Sequence, residues 1–363
     1  MIRLRGFRDR DFIESREGLL FAVIGNTHPV DRIIAYLKYI PGYQSNIRVK
    51  WSRNGVQFGR ILPYYSAIGV AQTMDFLRRN YPHYIVFDKY RSIELIEVPR
   101  SHINRHYRPE ERLRELLSGS RDLLEEQVVE LVTRISEESG VSLNNFGITG
   151  SILLKIHNLT YSDIDLIVYG IENSYRVRET IKNLLNTPNS GFYRPVGEAL
   201  EEWARDIVKI HPLSIEEARL LYSKYKWNRA FYKGRQFSIH PVKTEDEVSE
   251  KWEDKIVKPL GLVKIRARIA DSRNSIFMPA IYSIENAKVI EGVVPPKPIR
   301  YVISYEGLYM DLARDGDEII AYGKLEMVED VRQSEEYLQV AIGTFEARGK
   351  DYIKPVAWLE ALQ

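Results

Sequence analysis

Cysteine is absent from all 363 residues, which rules out disulfides, cysteine-built zinc ribbons and thiol catalysis. Also absent is any apolar run approaching twenty residues, and the N-terminus has no basic segment leading into an apolar one. Neither a membrane span nor a secretory signal is expected, and the chain reads as cytoplasmic. Internal repeats and low-complexity segments are missing too, so a solenoid is not expected. What remains is a chain long enough, and at 44% apolar residues apolar enough, to bury two or three cores. The lack of cysteine beside 28% charged residues, few glutamines and many tyrosines, isoleucines and arginines hints at a thermophile.

Formal charge is nearly balanced at +2, but its distribution is uneven. Residues 1–110 hold 18 lysines and arginines against 10 acids, and the remainder of the chain is slightly acidic. The same basic third contains Tyr36, Tyr39, Tyr43, Tyr64, Tyr65, Tyr81, Tyr84, Tyr90 and Tyr107. Within it, Arg78-Arg79-Asn80-Tyr81-Pro82-His83-Tyr84 interleaves cations with flat rings, the combination that grips phosphates and stacks on bases. Arg78, Arg79 and Tyr81 are therefore candidate nucleic-acid contacts. Equally, the tyrosines could pack at domain boundaries and the arginines form ordinary surface.

Charge and texture divide the chain into three segments: a basic α/β domain over 1–108, an α/β domain with a leading helix over 109–257, and a small β domain over 258–363. In the first, residues 10–24 read as a hairpin turning at Glu17-Gly18. The spacing of Ile33, Ile34 and Leu37 predicts a helix over Pro29–Tyr39, ended by Pro41-Gly42. A helix over Ala71–Asn80 and a strand over Tyr84–Asp88 follow, and the polar stretch Pro99–Pro109 reads as a linker. Residues 110–139 read as one long charged helix. Further helices are expected near 173–187, 197–210 and 214–226, then a strand over Gln236–Val242. Beyond Pro259, short alternating runs fit a small barrel or sandwich.

The most informative pattern lies in the second segment. Gly150-Ser151 is followed by Asp163-Ile164-Asp165 within the apolar run Ile164-Asp165-Leu166-Ile167-Val168-Tyr169. Strand alternation puts Asp163 and Asp165 on one face and turns Ile164 and Leu166 into a core. Carboxylates so placed repel, and each holds a proton more readily unless a divalent cation neutralises the pair. An oxygen-only site of this kind suits Mg2+ or Mn2+. Upstream, Phe146–Thr149 reads as a short strand, Gly150 as a tight turn and Ser151–Ile156 as the start of a helix.

This order of elements resembles the DNA polymerase β-like nucleotidyltransferase superfamily, whose signature is G-S, a spacer of about ten residues, and D-x-D on the next strand. Gly150, Ser151, Asp163 and Asp165 match it, and taken whole the chain is similar to archaeal proteins classed as predicted nucleotidyltransferases. The resemblance implies an α/β (α+β) core that transfers a nucleoside monophosphate from an NTP to an acceptor hydroxyl, releasing pyrophosphate. RNA, tRNA included, is the expected acceptor, with a protein or small molecule less so. It implies two ions about 3.5–4 Å apart held by Asp163 and Asp165. Gly150 and Ser151 would meet the triphosphate, and Lys224, Lys226, Lys233 and Arg235 are candidates to neutralise it.

The family also implies a third carboxylate on a later strand, and here the chain departs from the pattern. The inward positions of Gln236–Val242 offer Ser238 and His240. His240 is either a nitrogen ligand to the metal or a hydrogen-bonded structural histidine beside Pro241. The acids Glu245, Asp246, Glu247 and Glu250 read as a solvated helix start. Without the third acid, a non-catalytic nucleic-acid-binding protein on the same fold is the alternative.

Overall fold

The structure is a computed structural model in which residues 5–43, 51–61 and 67–362 are described; Tyr64 and Tyr65 lie outside them. It is a mixed α/β fold of the α+β kind, with three sheets among the described residues. Two compact units emerge, each assembled from three separated stretches. The first comprises Met1–Pro63, Glu97–Pro195 and Lys226–Ser249, and the second Tyr64–Ile96, Val196–Tyr225 and Glu250–Gln363.

In the first unit the expected hairpin forms, Phe12–Ser15 against Leu20–Val23, with Phe12 opposite Ala22. The expected helix over Pro29–Tyr39 does not form. Arg32–Pro41 is a strand pairing with Leu20–Val23. Ile33, Ile34 and Ala35 are all buried, so the residues face core on both sides, and β-branched side chains favour such a pleated, packed surface. The expected linker is also a correction. After a short 3-10 turn at Arg100–His102, Ile103–Tyr107 forms a strand against Phe12–Ser15. Asn104 and Arg105 are exposed, and His106 reaches back to the buried Asp11 at 2.8 Å.

The single helix expected over 110–139 is two helices, Pro109–Ser118 and Leu123–Ser139. The break falls at Gly119. Asp122 then restarts the chain: its carboxylate accepts from the Leu124 and Glu125 amides, and Glu125 bonds back to the Asp122 amide.

The other sheet of this unit runs Phe192–Tyr193, Arg229–Tyr232, Arg235–Val242, Ile164–Tyr169 and Phe146–Ile148 in spatial order. Ile164–Tyr169 pairs parallel with Arg235–Val242 and antiparallel with Phe146–Ile148. Interior to the sheet, it buries Leu166, Ile167 and Val168 completely. The helix Ile171–Asn186 follows it, turning Val177, Ile181 and Leu184 inward.

In the second unit, Ala67–Asn80, Gly197–Val208 and Ile215–Leu220 are helical, the last running into a wider π turn at Leu221–Tyr225. The strands Lys255–Asp271, Ala280–Gly292, Ile299–Ser304, Glu335–Ile342 and Glu318–Asp330 pair in that order. The last pairs back onto the first, which closes a barrel. Val263, Ile265, Tyr282, Val302, Leu325 and Val340 fill it. No helix among the described residues is long and apolar enough to cross a membrane.

Because Leu166 is fully buried in an interior strand, Leu166→Ala leaves a cavity that its paired neighbours cannot collapse to fill. The expected loss is about 2–5 kcal/mol. A denaturant midpoint unchanged from wild type would contradict the core position given to this strand.

Candidate active site

Asp163 closes the loop that precedes strand Ile164–Tyr169, and Asp165 is that strand's second residue. The loop is held from several sides. Asn158 Oδ1 accepts from the Thr160 and Tyr161 amides at 2.9 and 3.2 Å, an Asx-type turn. Ser162 Oγ accepts from the Asn158 amide at 3.0 Å. The Arg235 guanidinium donates to the carbonyls of Leu159, Thr160 and Ser162 at 2.9–3.2 Å. Ser151 Oγ donates to Ser162 Oγ at 3.3 Å and is buried. Arg235 and Ser151 thus tie down the loop that presents Asp163.

Gly150 makes the closest approach. Its φ is +68°, in the left-handed region, and a Cβ built there would lie 2.5 Å from Asp165 Oδ2. The neighbouring Thr149 amide donates to the Asp165 carbonyl at 2.9 Å. Only glycine fits between this turn and the carboxylate. The helix that begins here is a single turn, Gly150–Leu153, shorter than the run through Ile156 read from the sequence, and Lys155 takes a positive φ of 55° just beyond it.

Parallel register sets Ser238 beside Asp165 and His240 beside Ile167. The Ser238 hydroxyl lies 2.5 Å from Asp165 Oδ1, and His240 Nε2 lies 2.9 Å from Ser238 Oγ and 3.7 Å from Asp165 Oδ1. No acid stands on this strand. Glu245 instead pairs with Arg8, and Glu247 accepts from the Ile171 amide at 2.8 Å.

Burial, and next the charge of Asp165, push the Asp163 carboxyl up to about 6, against the pull of Arg229 and Lys38. Burial also acts to raise Asp165. The adjacent His240, then Lys38 and the hydrogen-bonding Ser238, outweigh it and hold that carboxyl well below the usual range. Burial and then Arg10 hold His240 down to about 4, so its imidazole is neutral at pH 7. The Lys38 ammonium is itself lowered by burial. Lys38, Arg10 and Arg229, whose charges act on these groups, are side chains the sequence did not reveal. A strand reading of 32–41 would have exposed the signal for Lys38, a lone lysine in an otherwise apolar run.

Gly150, Ser151, Asp163, Asp165, Ser238 and His240 therefore lie together. Lys233 sits on a tight hairpin turn with Gly234 and bonds Glu130. Lys226 is buried, and Lys224 lies in the π turn of the second unit. Arg78, Arg79 and Tyr81 also belong to the second unit. Arg78 pairs with Asp75 and Glu94 at 2.6 and 2.8 Å, and the Tyr81 ring centre lies 6.1 Å from that of Phe76.

No family model matches the chain, and no solved structure matches it. A protein of Methanocaldococcus jannaschii, "uncharacterized protein MJ1086", is 31% identical over 350 residues, a span of 96% of this chain and 98% of that one. The chain belongs to the family of MJ1086. Likeness to MJ1086 over nearly the full length covers the residues of both compact units.

The donor set fits a divalent cation. Asp163 has no hydrogen-bonding or ion-paired side chain among the described residues, and its raised affinity for a proton marks an unmet demand for positive charge. Asp163, Asp165 and His240 do not form a three-ligand cluster with their ligand atoms within 4.8 Å of one another; Asp122, Glu125 and His157 do. That second cluster is a helix start, with Asp122 capping amides and Glu125 paired to Arg112.

The folded state binds the Asp163 proton more tightly than the unfolded chain does. The stability this contributes is full below the ordinary carboxyl value of 3.8 and is lost as pH rises through about 6. Denaturant midpoints measured from pH 4 to 7 should therefore fall less steeply for Asp163→Asn than for wild type. Identical profiles would remove Asp163 as the group that titrates there.

Proposed function

We propose that the first unit is a metal-dependent nucleotidyltransferase with a polymerase β-like core, joining a nucleoside monophosphate from an NTP to an acceptor hydroxyl. The observation that carries this reading is the contact of the Gly150 turn with Asp165. It brings the G-S turn and the D-x-D strand into the juxtaposition that such chemistry needs: a close backbone approach next to two carboxylates, of which Asp163 has no side-chain partner among the described residues.

Asp163 and Asp165 are the residues that would hold Mg2+ or Mn2+, and His240 Nε2 lies within reach of Asp165. When bound, the ion supplies charge neutralisation to the reacting phosphate oxygens. The bare Gly150 backbone lets a polyphosphate approach Asp165 without steric conflict. Lys38, Arg10 and Arg229, whose charges act on the aspartates and His240, offset the charge of a triphosphate. In the reaction an acceptor oxygen bonds to the α-phosphorus, the bond to the bridging oxygen breaks, and pyrophosphate leaves with the electron pair. The basic excess of residues 1–110 supports RNA, tRNA among the candidates, as the acceptor.

One observation favours a second reading. Ser238 and His240 occupy the strand where a third acid would stand, and a protein that binds nucleic acid without catalysis would tolerate that replacement.

Incubation with each labelled NTP, Mg2+ or Mn2+, and total RNA separates the two. The enzyme reading expects label incorporation that Asp163→Asn/Asp165→Asn lowers by about a thousandfold or more, the scale of losing a principal electrostatic contributor. RNA binding without incorporation of any of the four nucleotides would establish the second reading in its place.

A further inference from the structure

We propose that Ser238 and His240 are positioning residues that stand in place of the third acid as a hydrogen-bonded pair, so that the protein's own side chains hold one divalent ion rather than two before nucleotide arrives. This rests on the metal reading of Asp163 and Asp165 given above.

The argument begins with proton counting. Ser238 has one hydroxyl proton, and an ionised Asp165 can only accept. The short contact between Ser238 Oγ and Asp165 Oδ1 takes that proton. The contact between Ser238 Oγ and His240 Nε2, 2.9 Å, must then be filled from the histidine, with Nε2–H donating. At 3.7 Å, His240 Nε2 is too far from Asp165 Oδ1 for a direct hydrogen bond, so the histidine acts through the serine. The parallel register builds this relay, because Ser238 is opposite Asp165 and His240 lies two residues on, on the same face of its strand.

The consequence for Asp165 is a fixed orientation. Oδ1 is held by Ser238, and Oδ2 faces the space that Gly150 leaves open. Asp163, with no side-chain partner among the described residues, stays open. Two carboxylates carry two negative charges, which one divalent ion neutralises. A second ion would find on this strand only the Ser238 hydroxyl and the His240 Nε2–H turned toward it, and no third carboxylate. A third carboxylate at Ser238 would change that balance.

Mn2+ titration of the full-length protein without nucleotide, followed by electron paramagnetic resonance of the free ion, tests this. Wild type should bind one Mn2+. S238A should bind it about 10–100-fold more weakly, as expected when an outer partner of a ligand is lost. S238T keeps the hydroxyl and should bind like wild type. H240A should weaken binding, and H240Q, whose amide can still donate to Ser238, should restore most of it. S238D should raise the stoichiometry to two. Circular dichroism of each variant separates misfolding from lost positioning, and the contrast between S238A and S238T decides the matter if S238D does not fold.

Two ions on wild type, or equal affinity in S238A and wild type, overturns the proposal. If D163N/D165N abolishes Mn2+ binding while S238A leaves it intact, only the positioning role falls. If wild type binds no Mn2+, or D163N/D165N binds it unchanged, the metal reading itself falls.

Discussion

Two carboxylates on one face of a partly buried strand repel, and the local structure around Asp163 and Asp165 answers that repulsion. In water the cost would be small, because solvent screens the pair. Here burial removes much of that screening, and the strain appears as a proton held on Asp163 up to about 6. The two aspartates are not equivalent. Asp165 has His240, Lys38 and Ser238 in its favour, whereas Asp163 has the charges of Arg229 and Lys38 and its own backbone amide but no side-chain hydrogen bond among the described residues. Such a division sets one residue as a fixed anion and leaves the other with charge still to be met. A purely structural strand would gain by replacing Asp163 with an uncharged residue.

The compensating groups come from distant parts of the sequence. Ser238 and His240 arrive by the parallel pairing of Arg235–Val242 with Ile164–Tyr169, which requires a long crossover connection. Arg229 lies on the strand beyond, opposite Ser238. Lys38 arrives on the hairpin sheet, with its ammonium 5.5 Å from the Phe12 ring centre and 5.9 Å from that of Tyr39. Packing on aromatic faces lets a lysine keep its charge where water is scarce. Arg60 uses the same device over Trp51, at 3.9 Å.

What was legible in the sequence was local. Gly150-Ser151 and Asp163-x-Asp165 are close along the chain, so turn chemistry and strand alternation are enough to place both on neighbouring strands. The hairpin at Glu17-Gly18 and the alternating barrel strands were readable for the same reason. The strand Arg32–Pro41 was not, because the spacing of Ile33, Ile34 and Leu37 satisfies the helical period, and only burial on both faces decides for a strand. With that strand misread, Lys38 could not be placed. The polar segment Ile103–Tyr107 was missed because its partner strand, and Asp11 just before that strand, are remote in sequence. The break between Pro109–Ser118 and Leu123–Ser139 had a readable signal, Gly119 followed by the capping pair Asp122 and Glu125, which the helical period on either side obscured. Ser238 and His240 were visible as departures from a pattern, but their hydrogen-bonded connection to Asp165 depends on register, which no single strand specifies.

A unit assembled from three separated stretches needs a reason to fold as one, and the aspartate pair supplies part of it. The Thr149 hydroxyl, one residue before Gly150, donates to the Arg10 carbonyl at 2.7 Å and so joins the turn to the hairpin sheet. Arg5 pairs with both Asp11 and Glu110, and the Tyr169 hydroxyl donates to Glu110 at 2.9 Å from the far end of the aspartate strand. These links run beside the path by which Lys38 and Arg10 exert their charge on the site. Without the hairpin sheet, the aspartates would lose Lys38, and the Gly150 turn would lose one of its anchors. Site electrostatics and the folding of the unit therefore rest on neighbouring contacts that share Arg10. A single-stretch domain holding only residues 109–249 would carry the D-x-D pattern with Ser238, His240 and Arg229, but without Lys38 and Arg10.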